Sequence, residues 1–376
     1  MQLPEGHPLL RKPQDGDGLK WHLPFEKPFR LGGLNWFDEY CTYDRIPSAI
    51  LPKEATRFQR GIKKTIPFNE WGVVSHSRCT SGAQIQFRSD STKIYIDGIY
   101  GPHSRYDNCS PMGIFGFDLY IQEEDDDTWR LAGVSRVSDK GPEFHQSLTR
   151  GTLSRKMRSF LIHLPTYCGV ESLAIGLNDD AIIEPPKPWS DDRPIVWYGT
   201  SITQGGCASH AGLIATNIIS RMRNQPVYNL GFSGNGCGEP EVAKIVASCK
   251  NPAMFIIDNA WNIGTIEELN MTLPPFIDII RSQHPATPIF LLSGSPGAEY
   301  YADHLQDPGP RPKMKFIIQE EASRRQANGD GNIHFINGEA LIGEDFWNCV
   351  VDMVHLSDYG FIRQATALAP LLKSME

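Results

Sequence analysis

The hydrophobic period of this chain changes at about residue 184, and that change restricts the folds open to it. Upstream the period is two. Ala83-Gln84-Ile85-Gln86-Phe87 and Lys93-Ile94-Tyr95-Ile96-Asp97 alternate apolar and polar residues around an Arg88-Ser89-Asp90-Ser91 turn. Phe115 to Ile121, Phe160 to Leu164 and Ser172 to Leu177 continue the pattern. Short strands separated by turn signals, with no long helical stretch, predict an antiparallel sandwich. Downstream, apolar strands at Pro194-Ile195-Val196-Trp197, Pro226–Leu230, Ala253–Asp258, Pro288–Leu292 and Asn332–Ile336 alternate with helical patterns. The helices are expected near residues 213–219, 239–250, 266–283, 313–328 and from 357 onward. Such alternation predicts a parallel sheet covered by helices on both faces. Glu184-Pro185-Pro186-Lys187-Pro188 stands between the two rhythms as a stiff linker.

A length of 376 residues also favours two domains over one core. The expected organisation is a Pro- and Gly-rich N-terminal arm over 1–30, a β-sandwich over 31–183, a linker over 184–192 and an α/β domain over 193–376. The formal charge of −8, from 36 basic and 44 acidic residues with no dense basic run, gives nucleic acid no electrostatic footprint. The eight cysteines never come closer than twelve positions, so no CxxC pair exists and reduced thiols are expected. The histidines form no His-x-x-x-His pair, and neither a metal nor an organic cofactor is expected. The N-terminus lacks a charged start followed by an apolar run, and no stretch is apolar for long enough to span a bilayer. The expectation is a cytoplasmic protein with no membrane span; self-association is left open.

Four loops at the carboxyl ends of the later strands carry polar residues suited to acyl transfer. The first is Tyr198-Gly199-Thr200-Ser201-Ile202-Thr203-Gln204-Gly205, a serine at a strand-to-helix turn, where open α/β sheets place their chemistry. Alone, such a serine reads more readily as a helix cap than as a nucleophile. The second, Asn229 to Gly236, has glycines that let backbone N–H groups approach a ligand. The third, Asp258-Asn259-Ala260-Trp261-Asn262, offers a side-chain amide. The fourth, Asp352-Met353-Val354-His355, spaces a carboxylate so that it can hold one ring nitrogen of an imidazole while leaving the other free. No Gly-x-Ser-x-Gly elbow is present, which sets the α/β-hydrolase fold aside.

Taken together, these loops resemble the four blocks of the SGNH (GDSL-type) hydrolase superfamily, in order, across about residues 193 to 373. Gly116-Phe117-Asp118-Leu119-Tyr120 is similar to the Gly-x-Asp-Leu-Tyr motif of the β-sandwich that precedes one branch of it. The resemblance implies a flavodoxin-like catalytic domain after a sandwich or jelly-roll-like domain. It also implies a Ser201, His355 and Asp352 triad, with an oxyanion hole from Ser201, Gly234 and Asn262. Three departures stand out. Thr200 replaces the usual Asp, no Asp follows Asn262, and His210-Ala211 stands where the branch has Arg-Pro. The last change bears on the substrate, since a guanidinium fork gives way to a titratable ring. His210, Glu239 and Trp261 are the candidate substrate contacts, and Trp36, Trp71 and Tyr106 are further rings that a sugar could stack on. The expected activity is removal of short acyl groups, acetyl first, from a carbohydrate or other polyol. The alternatives are a lysophospholipase or thioesterase, and a sugar-binding protein on a lapsed hydrolase.

Overall fold

The computed structural model describes residues 3–136, 141–296 and 310–374. The chain packs as two units, and neither is one continuous stretch.

The first unit comprises Met1–Pro47, Arg78–Ser190 and Ser209–Gly212. One of its sheets has four antiparallel strands, in the order Leu19–His22, Cys168–Asn178, Ile94–His103, Glu143–Ser147. The other runs Ile183–Glu184, Gln84–Ser89, Arg158–His163, Asp118–Gln122, Arg130–Val134, with Arg30–Gly32 also pairing onto Gln84–Ser89. Alternation puts Ile94, Ile96, Leu173 and Ile175 from the first sheet against Ile85, Phe87, Leu119, Phe160 and Ile162 from the second, in one core. This is the expected sandwich. The expected loose arm is not an arm. Leu19–His22 pairs with Cys168–Asn178, and Leu9, Trp21 and Phe29 are buried. A four-residue alternation, Leu19-Lys20-Trp21-His22, is enough to dock this segment despite the prolines and glycines around it.

The second unit comprises Ser48–Ser77, Asp191–Ala208 and Leu213–Glu376. Its five parallel strands run in the order Val227–Gly231, Ile195–Gly199, Met254–Asp258, Ile289–Leu292, Ile333–Ile336. That is the 2-1-3-4-5 order of flavodoxin-like sheets. The three inner strands are buried throughout, which is why they read as almost unbroken apolar runs. Ile195 and Trp197 pack in the core shared by helices Ala215–Arg223 and Asp358–Ser374. On the other face Tyr198 stacks on Phe276, of helix Ile266–Gln283, with ring centroids 4.6 Å apart. Helices Pro240–Ala247 and Arg311–Ala327 complete the main cover.

The sequence boundary at residue 31 assigned Ser48–Ser77 to the sandwich, but this segment packs with the parallel sheet's helices. It forms the hairpin Glu54–Gln59 and Ile62–Pro67. The hairpin turns at Arg60 (φ 50°) and Gly61 (φ 74°), the left-handed pair a two-residue turn demands. Among the described residues no helix is long and apolar enough to cross a membrane.

Candidate active site

Ser201 opens the short helix Ser201–Gln204 directly after the strand Ile195–Gly199. The Thr200 hydroxyl caps that helix by accepting from Ile202 N, which leaves Ser201 at the first helical position rather than at the cap. Ser201 is 6% exposed, and its Oγ lies 2.8 Å from His355 Nε2. The other ring nitrogen, His355 Nδ1, lies 2.8 Å from Asp352 Oδ2.

The Asp352-to-His355 loop is fixed by its own backbone. Asp352 Oδ1 accepts from His355 N (2.8 Å) and Val354 N (3.2 Å), and Met353 takes a left-handed φ of 71°. Val351 N donates to His355 O (2.8 Å), and Ser357 N to Cys349 O (2.8 Å). One carboxylate therefore shapes the turn with one oxygen and orients the imidazole with the other. A hydroxyl, an imidazole and a carboxylate thus form one hydrogen-bonded row, the arrangement that lets a hydroxyl lose its proton as it attacks.

The loop after Val227–Gly231 and the turn Ala260–Asn262 meet beside that row. Gly236 N donates to Asn262 Oδ1 at 3.0 Å. A Cβ on Gly236 would fall 2.4 Å from Gly199 O and 3.3 Å from Thr200 Cα, so this loop lies directly against the residues before the serine. Gly234 turns at φ 64°, a conformation that favours glycine. Among the described residues, neither Gly234 N nor Asn262 Nδ2 donates to a protein acceptor.

The three candidate substrate contacts each have partners within the protein. Glu239 is fully buried, and its Oε1 accepts from Arg57 Nε (2.9 Å), Arg57 Nη2 (2.7 Å) and Trp71 Nε1 (3.3 Å). Burial raises its pKa, with the Arg57 charge opposing that shift only in part. Arg57 Nη2 also donates to Asn235 Oδ1 at 3.0 Å, tying the hairpin to the Gly234 loop. Trp261 is 8% exposed, with the Arg311 guanidinium 4.2 Å over its ring and its Nε1 donating to Ser295 O (3.1 Å). In the sandwich unit, His210 is buried with its Nδ1 2.6 Å from Asp118 Oδ2, and Gly212 N donates to the same oxygen. Burial alone would raise the Asp118 pKa, but the His210 hydrogen bond and the nearby His163 and His210 charges hold it below the usual range. Trp36 and Trp71 are buried, while Tyr106 remains 37% exposed.

The sequence reading passed over Arg57, Asn235 and Cys207 as functional. The alternation on either side of Arg60-Gly61 is a hairpin signal, but nothing local says that the hairpin reaches a glutamate 182 residues away. Cys207 Sγ, a carboxylate oxygen of Asp352 and a ring nitrogen of His355 all lie within 4.8 Å of one another.

Residues 192–373 match the model of the GDSL-like lipase/acylhydrolase family, and residues 19–183 match that of the GxDLY family, the N-terminus of SGNH-hydrolase-type esterases. The chain thus carries a GDSL-like lipase/acylhydrolase domain behind a GxDLY-type N-terminal domain. This GDSL-type protein is an esterase, and both halves of the resemblance seen in its sequence are accounted for. Its fold is similar to that of a GDSL-like lipase from Bacteroides ovatus ATCC 8483, at 24% identity over 95% of this chain and 98% of that one, with a TM-score of 0.79. It is also similar to a salicylyl-acyltransferase from a tetracycline biosynthetic pathway, at 17% identity over 96% and 98% of the two chains, with a TM-score of 0.67. A family two carbohydrate esterase from Clostridium thermocellum follows at 13% identity over 93% and 98%, with a TM-score of 0.58. No curated protein sequence matches the chain significantly.

Proposed function

We propose that this GDSL-type esterase acts through Ser201 as nucleophile, His355 as general base and then acid, and Asp352 as the group that orients the imidazole. The observation that carries the reading is the continuous row Ser201 Oγ, His355 Nε2, His355 Nδ1, Asp352 Oδ2, with 2.8 Å at both links. Ser201 attacks the ester carbonyl, and His355 takes the hydroxyl proton and returns it to the leaving alcohol. Water then repeats the attack on the acyl-enzyme. Ser201 N, Gly234 N and Asn262 Nδ2 donate to the oxyanion formed in each half-reaction.

The substrate reading is a short acyl group, acetyl first, on a carbohydrate or other polyol. Its support is a likeness in fold to carbohydrate esterases, among them an acetyl xylan esterase from Butyrivibrio proteoclasticus, together with the sandwich unit. Fluorophosphonate labelling tests the nucleophile without knowledge of the substrate. Wild type should label and Ser201→Ala should not, with ester turnover falling by on the order of a thousandfold or more. Undiminished turnover by Ser201→Ala rejects the assignment. A nitrophenyl-ester series from acetate to decanoate tests the acyl group. Rates that fall with chain length support the acetyl reading, and rates that rise favour a lysophospholipase or thioesterase.

A further inference from the structure

We propose that Cys207, His355 and Asp352 form a binding site for a zinc-class divalent cation, and that occupancy of this site silences the serine. The inhibitory half of the proposal rests on the triad reading above; the binding half does not.

The three side chains offer a thiolate, an imidazole and a carboxylate, the ligand types that zinc combines in protein sites. Their candidate ligand atoms already lie within 4.8 Å of one another. In a tetrahedral zinc site such atoms stand about 3.3–3.6 Å apart, so closure requires side-chain movement of about an ångström. The backbone holds the thiol near the pair. Gly205 N and Gly206 N both return to Ser201 O, at 2.9 and 2.8 Å, which ends the short helix and turns the chain back. Cys207 itself has a φ of 72°, a conformation that glycine adopts at least cost, yet the residue here is one with a metal-binding side chain. The site is open to a dissolved ion. Cys207 is partly exposed, and the His355 and Asp352 side chains are 21% and 32% exposed.

Binding requires the thiol to release its proton and one ring nitrogen of the imidazole to be unprotonated, so affinity rises with pH. Coordination takes the imidazole and the carboxylate out of the proton-transfer row. Water can take a fourth position. Eight cysteines outside any disulfide make other thiols a source of ambiguity, and four of these thiols are buried. Cys41, in the sandwich unit, is the control for a partly exposed thiol.

Cobalt(II) is titrated into the full chain, and thiolate-to-cobalt charge-transfer absorption is followed in wild type, Cys207→Ser and Cys41→Ser. The band should appear in wild type and Cys41→Ser, be displaced by zinc, and be lost in Cys207→Ser. In parallel, zinc should inhibit ester hydrolysis, and EDTA should reverse the inhibition. The half-inhibitory concentration should rise by at least about tenfold in Cys207→Ser, each variant being referred to its own metal-free rate. A band that persists in Cys207→Ser, or no band at all, overturns the site. Equal zinc sensitivity of wild type and Cys207→Ser overturns the inhibitory role. A Cys207-dependent band in a protein that fluorophosphonate does not label keeps the metal site and rejects the triad; labelling without a band does the reverse.

Discussion

Asn262 uses its two side-chain ends differently. Its carbonyl oxygen takes the Gly236 N–H, which leaves the amide nitrogen for a ligand. Removing that amide should therefore act on the transition state more than on the bound ester. Asn262→Ala should lower kcat by about a hundredfold to a thousandfold with KM little changed, measured by steady-state hydrolysis of nitrophenyl acetate. A variant that changed KM alone would refute the donor role. Asp258 makes a different prediction. It ends the strand Met254–Asp258 fully buried, and burial lifts its pKa to about 7, opposed by the Thr203 hydroxyl. The folded protein therefore holds a proton on Asp258 that the unfolded chain has already released, across the window from about 3.8 to about 7. More protons are bound folded than unfolded, so this group's contribution to stability falls as pH rises through that window and stays low above it. Asp258→Asn should melt above wild type at pH 8, with the gap shrinking towards pH 4. Thermal melts at the two pH values check this, and an equal gap at both would count against it. Asp352 and His355 were legible in the sequence because their partnership is local, three residues apart on one turn. Asp258 was read only as the end of a strand, because its burial depends on the whole sheet around it.

The hairpin Glu54–Gln59 and Ile62–Pro67 shows what one element can supply from far upstream. Its Arg57 pairs with the buried Glu239 and also holds Asn235, the neighbour of Gly234. Thr56 N donates to Glu241 Oε2 at 3.0 Å, which fastens the same strand to helix Pro240–Ala247. Arg57→Met leaves a buried carboxylate without its cation, a loss of about 3–5 kcal/mol, readable by urea unfolding. The double variant Arg57→Met with Glu239→Gln should recover part of that stability. No recovery would mean that the arginine acts through packing alone. The burial of Glu239 is not legible in the sequence, where it stands just before a helix-starting proline. Only its long-range partner reveals it. The inner parallel strands, by contrast, could be read directly, since burial on both faces leaves unbroken apolar runs such as Met254 to Ile257. The helix Ile266–Gln283 was equally plain, from its apolar stripe.

At the scale of the whole molecule, the change of period at residue 184 correctly separated two kinds of architecture but not two lengths of chain. The first unit borrows Ser209–Gly212 from beyond the proline-rich stretch, and the second borrows Ser48–Ser77 from before it. Hydrophobic period reports the local element and carries no label for the core it joins, so both loans were invisible. Each borrowed piece pairs with one oxygen of a buried carboxylate: His210 and Gly212 meet Asp118 Oδ2, and Arg57 meets Glu239 Oε1. Cutting the backbone between residues 185 and 190 is therefore like snipping one thread of a woven cloth. The two fragments should co-elute as a single species on native gel filtration and come apart only in denaturant. Free fragments eluting separately under native conditions would show that the weave does not hold.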